Sequence, residues 1–404
     1  MDHFFTKLGQ TVLTRWKKVN FSPGAFPEIA CTVLNEQPPA SNVDVAALIR
    51  EFLLNDEQPF QTQSGFGEPE LVVYDDPRFY IQILFWLDGS TDIHQHKFSG
   101  AFHVLVGSSI HSRFEFESSE SVSAHLRVGQ LRMTETHLLE TGSTVPIVSG
   151  HSHIHSLFHL DTPSISVVIR THSDPGTGPQ FTYLPPHLAV DPFHQDALTT
   201  RRKQLLDVLE KMDDPAYPEL LIEMLNELDF ERGFFILQNG VGYLRSLERW
   251  EECLETFRQK HGRLAENVAP TLDEIIRRDG LVELRKSITE IEHRFFLALL
   301  LNVPTRQDIL NMVAQRFPGS PADTVLRWIE ELTESSEAGT WILDAEIPPI
   351  PSIEEQPESL FLVLRHLVEG QNSDAETGSL RISPADLQLL RDALSGSSLR
   401  ALVS

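Results

Sequence analysis

Between residues 70 and 184 the apolar positions come in short β-branched and aromatic runs, at 71–74, 79–86, 102–106, 111–116 and 164–170, punctuated by Gly, Asp and Ser. Strands so short and so regularly spaced predict an antiparallel sandwich or barrel. Outside this region the period lengthens. Residues 1 to about 60 carry helical pieces, clearest at 43–54, broken at Pro38-Pro39 and followed by a Gly/Gln/Ser-rich stretch over 58–67. After Pro185-Pro186 the pattern turns helical again, with Leu205, Leu206, Val208 and Leu209 in one segment and Leu220, Leu221, Met224, Leu225 and Leu228 in another. Leu281, Leu284, Ile288, Ile291 and Phe295 recur at three- and four-residue steps and predict one stripe of a single long helix, either core or dimer seam.

The fold class is therefore α+β, a small antiparallel β-barrel followed by a mostly helical C-terminal half. Its expected parts are an N-terminal helical segment (1–64), the barrel (65–185), a helical region (186–290), a module over 291–346, and a linker with terminal helices (347–404). The module reads as helix, turn at Val303-Pro304-Thr305, helix, turn at Pro318-Gly-Ser-Pro321, helix, and a strand near 340–343. That order resembles a winged-helix module. Its third helix carries Asp323, Glu330 and Glu331 beside Arg327 alone, a surface that repels phosphates, so it reads as a docking or dimerisation module. The Pro- and Glu-rich stretch 347–359 reads as a linker, and 360–367 and 385–394 as short terminal helices.

Composition narrows the partners. At 404 residues, 41% hydrophobic and 23% charged, the chain has the make-up of a folded multi-domain protein. A formal charge of -25 opposes nucleic acid and anionic lipid, and the basic pieces at 15–18, 201–203 and 277–278 are small enough to be solvated helix ends. Cys31 and Cys253 form no C-x-x-C motif and indicate neither a disulfide framework nor a thiolate zinc site. The N-terminus lacks a basic segment followed by an apolar core, and the longest apolar run, 295–301, is too short for a bilayer. The expectation is thus a cytoplasmic protein with no membrane partner.

Eleven of the 17 histidines fall between His94 and His172. Alternate residues of a strand share a face, so His94 and His96 can reach one ion while Gln95 points away, and His151, His153 and His155 offer further ligands from a second strand. Neutral imidazoles leave a divalent ion its full charge and open positions, a state suited to an anionic or chelating small molecule beside water or dioxygen. Imidazole suits iron, zinc, nickel and copper alike.

The residues around these histidines are more specific. Gly89 precedes His94-x-His96, Gly100 and Gly107 follow, and a second block runs Gly142-x5-Val148-x-Gly150-x2-His153. This resembles the two motifs of the cupin superfamily, whose fold is a double-stranded β-helix, over about a quarter to a third of the chain. In that family the first block supplies two histidines and usually a glutamate, and the second one histidine. Here Gly100 or Ala101 holds the glutamate place, Val148 stands where proline is usual, and Leu157 where asparagine is. Over residues 79–96 the chain looks most like thiol dioxygenases of the cysteine dioxygenase type, which also lack the glutamate. That resemblance implies a ferrous site held by His94, His96 and His153, with Pro163 and Ser166 at the family spacing after His153. It departs at Val168 and Arg170, where the family has a histidine and a tyrosine, and near Pro69, where it has a substrate-binding arginine.

The expectation is a mononuclear non-heme iron oxygenase acting on a small-molecule substrate or one borne on a carrier or peptide. Fe(II) is favoured by the resemblance, with Zn, Ni or Mn as alternatives. His94, His96 and His153 are the metal ligands, with His151 or His155 able to replace His153 after a register shift. Arg170 is a carboxylate clamp if it points inward, and His103, on the face of Ala101, a fourth ligand or proton carrier. His172 is a weaker candidate beside the ligands, and His111, His125, His137 and His159 are expected on surface strands or loops. Alternatives are an isomerase or lyase using the ion as Lewis acid, and a non-enzymatic ligand sensor. The helical half is expected to dimerise the protein or present a substrate.

Overall fold

A computed structural model describes residues 3–62, 66–87, 89–194, 196–335, 342, 359–370, 375–377 and 380–403. Residues 1–276 form one compact unit and residues 277–404 a second.

The first unit opens with three helices, α1 (His3–Lys18), α2 (Phe26–Glu36) and α3 (Val45–Leu54). Phe5, Leu8, Val12 and Trp16 make the buried stripe of α1, and Ala30, Val33 and Leu34 that of α2. Asp44 caps α3 by accepting from the Ala47 N–H at 3.0 Å. Among the described residues ten strands follow: β1 (Glu70–Asp76), β2 (Phe79–Trp86), β3 (Gly100–Val106), β4 (Ser108–Ser121), β5 (Leu126–Glu140), β6 (Thr144–Ile147), β7 (Ile154–His159), β8 (Ser164–Thr171), β9 (Thr182–Leu184) and β10 (Leu188–Val190). Where a single barrel was expected, the ladders form two five-stranded antiparallel sheets, ordered β1-β2-β8-β3-β6 and β7-β4-β5-β10-β9.

The first sheet is covered on both faces, which is why β2 is buried along its whole length and apolar on both faces, with Gln82 its one amide, rather than alternating. Phe79, Ile81, Ile83 and Phe85 of β2, with Ala101 and Leu105 of β3 and Ile165, Val167 and Ile169 of β8, pack against α1–α3. The opposite parity, Leu84, Trp86, Phe102, Val104 and Val168, meets Leu139 of β5 and Leu157 of β7 in the space between the sheets. The histidines enter that inner space. A third core joins β5 and β10 to helices α4 (Ala197–Lys211), α5 (Tyr217–Glu227), α6 (Phe230–Ser246) and α7 (Trp250–His261).

Helix α8 (Val268–Ser287) runs into the second unit. The single helix expected over 281–295 is two: α8 ends at Ser287, and α9 (Ile291–Asn302) begins after a break in which the Arg294 side chain donates to the Ile288 carbonyl at 2.6 Å. Leu281, Leu284, Ile288 and Phe295 are nonetheless all buried, so the stripe marks core on both sides of the break, and Ile291 is exposed. α10 (Arg306–Arg316) and α11 (Pro321–Ser335) form as expected, and Arg327 is engaged by Glu331 and Glu292. The strand expected near 340–343 lies outside the described residues apart from Ile342, and so does the stretch 347–358 of the expected linker. The chain closes with α12 (Ser359–Val368), a hairpin of β11 (Ala375–Thr377) and β12 (Leu380–Ile382), α13 (Pro384–Ser395) and α14 (Arg400–Val403). Among the described residues no helix is long and apolar enough to cross a membrane.

Candidate metal centre

His94 and His96 lie not on a regular strand but on an extended segment between β2 and β3, held on both sides. On one side His94 and His155 of β7 exchange backbone hydrogen bonds, each 2.9 Å; on the other, Gln95 N–H donates to Phe181 O at 3.1 Å and Tyr183 N–H to Ile93 O at 2.7 Å. The alternation of an extended chain survives. Gln95 turns away, donating to Pro179 O at 2.9 Å and accepting from the Tyr183 hydroxyl at 2.5 Å, while the rings of His94 and His96 meet with centroids 4.6 Å apart.

The His155 ring joins them, its Nε2 2.8 Å from His96 Nε2. Its Nδ1 is 2.9 Å from Nε2 of His111, on the neighbouring strand β4. His153, in the turn before β7, lies with its ring centroid 4.7 Å from that of His155. Two buried groups result, His94/His96/His155 and His111/His153/His155, each with its ligand atoms within 4.8 Å of one another. The structure thus brings His94 and His96 together with His155, and sets His153 beside His111. Strand parity puts His153 and His155 on one face, and the backbone bridge between His94 and His155 decides which of them faces the first pair. His151 is exposed in the turn.

Four other expectations are placed by the fold. His103 does share the face of Ala101, but that face packs on the helices: the ring is fully buried with Nδ1 2.8 Å from Thr144 Oγ1, and it belongs to neither histidine group. Arg170 has the inward parity of Ser166 and Val168, yet its guanidinium lies 3.4 Å from the centroid of Phe98, a stacking that turns it from a free clamp into a wall group. His111 and His159, expected at the surface, are each 2% exposed, because the β4–β7 pairing aims Ser109, His111, His155 and His159 into the intersheet space. His172 is half-exposed and 3.0 Å from the Asp76 carbonyl. Local alternation sets His111 on the face of Arg113, Glu115 and Glu117, opposite Ile110, Phe114 and Phe116, so the strand itself carries no signal for its burial.

The glutamate place of the cupin pattern is closed. A Cβ on Gly100 would sit 2.0 Å from the Ile169 carbonyl oxygen, since β3 and β8 touch there, and Ala101 faces the helices. Both histidine groups are accordingly carboxylate-free.

Burial keeps these imidazoles neutral. It lowers the pKa of His94, pushes His96 and His155 well below the usual histidine range, and takes His153 to about 4 and His111 to about 3, neighbouring positive charge adding to the effect on the last four. Neutral rings are the ligating form. His94 Nδ1 is 2.7 Å from the Asp92 carbonyl, which can only accept, so the proton sits on Nδ1 and Nε2 presents a lone pair. That Nε2 is buried without a hydrogen-bond partner, as is Nε2 of His153. A ring anchored through one nitrogen to a backbone carbonyl, with the other bare and buried, is the arrangement of a metal-ligating histidine. Ligand nitrogens around a tetrahedral ion stand about 3.4 Å apart, so shifts of roughly an ångström would close either group on a metal. The residues present therefore fit a divalent ion.

His94, His96 and His155 line a cavity of about 30 Å³, space for a water molecule or two, otherwise walled mainly by aromatic and aliphatic side chains such as Trp86, Phe98, Phe102 and Val168. Gln82 Oε1 and Trp86 Nε1 are buried at its wall without hydrogen-bond partners.

No protein-family model matches the chain, and no curated protein matches it. Among solved structures it is similar to KdgF from Halomonas sp., at 17% identity and a TM-score of 0.20 over 30% of this chain and 94% of that one. It is also similar to the DMSP lyase DddQ from Ruegeria pomeroyi DSS-3, at 14% identity and a TM-score of 0.25 over 46% of this chain and 98% of that one. A further likeness is to the capsular polysaccharide assembling protein CapF from Staphylococcus aureus, at 14% identity and a TM-score of 0.22 over 30% of this chain and 33% of that one.

Proposed function

We propose that this chain is a metal-dependent enzyme of cupin type, a mononuclear non-heme iron oxygenase acting on a small molecule or modified residue, with His94, His96 and His155 as the ligands. The observation that carries the reading is the convergence of three buried, neutral imidazoles from two distant segments on one small cavity, with a bare, unpartnered Nε2 on His94. Bound there, a divalent ion would supply Lewis acidity and, as iron, electrons for dioxygen. The protein's own part is to hold the ligands neutral, to keep carboxylates out so that the ion retains its charge for an anionic substrate atom, and to exclude water with Trp86, Phe98 and Phe102. Trp86 Nε1–H and Gln82 are free to orient the remainder of a small substrate.

A second reading, a lyase or isomerase using the ion as Lewis acid alone, is favoured by the surplus imidazoles. His153 stands beside the ligands with a bare Nε2 that could accept a proton from a bound substrate. Elemental analysis after ferrous reconstitution, followed by oxygen uptake with a panel of thiols and carboxylates, tests both. Turnover with oxygen consumption supports the oxygenase, and turnover without it the lyase or isomerase. A protein that retains no stoichiometric metal refutes both. His155→Ala should lose the ion and His153→Ala should keep most of it; the reverse order would return His153 to the ligand set.

A further inference from the structure

His111 lies outside the three proposed ligands, yet it is 2% exposed, on β4, with its Nε2 2.9 Å from Nδ1 of His155. The contact is built by strand pairing. His111 is opposite Leu157 and Arg113 opposite His155, so His111 and His155 are diagonal neighbours on one face of adjacent strands. Each imidazole can present its lone pair at only one nitrogen while neutral. If His155 is to offer Nε2 to an ion beside His94 and His96, its proton must sit on Nδ1, and the atom facing Nδ1 is His111 Nε2.

We propose that His111 is the positioning residue of the metal centre, accepting the His155 Nδ1–H hydrogen bond and so fixing both the tautomer and the ring plane of His155. This rests on the ligand set proposed above. His155 also faces His96 Nε2 at 2.8 Å, so without metal its proton can lie toward either neighbour. Acceptance by His111 selects the tautomer that binds. His155 rather than His153 is set beside the first pair by the backbone bridge between His94 and His155. The other use of the same residues, a second ion held by His111, His153 and His155, would set two dications against one shared imidazole with no carboxylate ligand to offset them, and is disfavoured by charge.

The test uses the full chain with Zn²⁺ as probe, measuring stoichiometry and affinity by competition with a chromophoric chelator in wild type, His111→Phe and His111→Gln. The expected result is one ion per chain in all three, roughly 10- to 100-fold weaker binding in His111→Phe, and substantial recovery in His111→Gln, whose amide oxygen can accept the same proton. A purely space-filling role predicts the opposite order, Phe above Gln. Nitrogen NMR of the zinc-loaded wild type, which needs no variant, should show His155 protonated at Nδ1 and hydrogen-bonded. Unchanged affinity in His111→Phe overturns the proposal, as does a wild type that takes two ions and a His111→Phe that takes one, which would make His111 a ligand. A wild type that binds no zinc removes the metal centre itself, a result distinct from either.

Discussion

Lowering the pH from 7 to 5 should cost this protein much of its stability in the absence of metal. An unfolded histidine titrates near 6.5. In the folded chain burial takes His103 to about 4, His111 to about 3 and His153 to about 4, and the pKa values of His94, His96 and His155 move in the same direction. The unfolded state therefore binds more protons throughout this window, and stability falls as the pH falls. The loss begins near the unfolded value of 6.5 and levels off only below the folded values. At pH 5 each such histidine contributes about 2 kcal/mol of lost stability, so His103, His111 and His153 together amount to about 6 kcal/mol, against a total of roughly 5–15 kcal/mol for a typical domain. The lowered carboxylates, such as Glu135 and Asp196, act only in more acid solution. Urea unfolding at pH 7, 6 and 5 with a chelator present, followed through amide protection in β2 and β8 and corrected for intrinsic exchange, measures the slope. His103→Gln keeps an acceptor for Thr144 but cannot be protonated, and should recover about 2 kcal/mol of the acid loss. A stability that changes by less than about 1 kcal/mol between pH 7 and 5 would falsify the assignment of buried, neutral imidazoles.

Saturating Zn²⁺ at 100 times its Kd should add about 2.7 kcal/mol to the unfolding free energy of wild type and nothing in His155→Ala; equal shifts in the two proteins would mean the ion binds elsewhere. Gly100→Ala should destabilise the first unit by about 3 kcal/mol or more, because the added Cβ meets the Ile169 carbonyl at 2.0 Å; a urea midpoint within error of wild type would show that β3 and β8 can separate at no cost. Tyr183→Phe removes the hydroxyl that donates to the buried Gln95 and should cost about 1–3 kcal/mol, with zinc binding weakened several-fold as the 93–96 segment loosens. Unchanged zinc affinity in a measurably less stable Tyr183→Phe would separate that anchor from the site.

How far the chain could be read from its residues varies with the length scale of each feature. The short β-branched runs over 70–184, the helical texture on either side, and the shared face of His94 and His96 are consequences of backbone period, and period is local. The lack of a carboxylate in the candidate site was implied by the resemblance, which sets Gly100 or Ala101 at the glutamate place. The single helix expected over 281–295 failed for a different reason. A buried stripe reports which side chains meet the core, and tertiary packing carried that stripe across a break at 288–290 that periodicity does not register.

What strand alternation could not supply was direction. It put His103 on the face of Ala101 without saying that helices cover that face, and it left His153 and His155 equivalent until the backbone bridge from His94 chose between them. Arg170 has inward parity, but its guanidinium is taken by Phe98, a residue 72 positions away. His111 looked like an ordinary strand residue because only its pairing with β7 brings it to His155. The sequence by itself determined where strand and helix texture lie and that histidines cluster over 94–159, since both follow from residue type and spacing. Tertiary structure alone decided which imidazoles meet, because that depends on how strands distant in the chain align, and a cross-strand neighbour leaves no mark within the strand it joins.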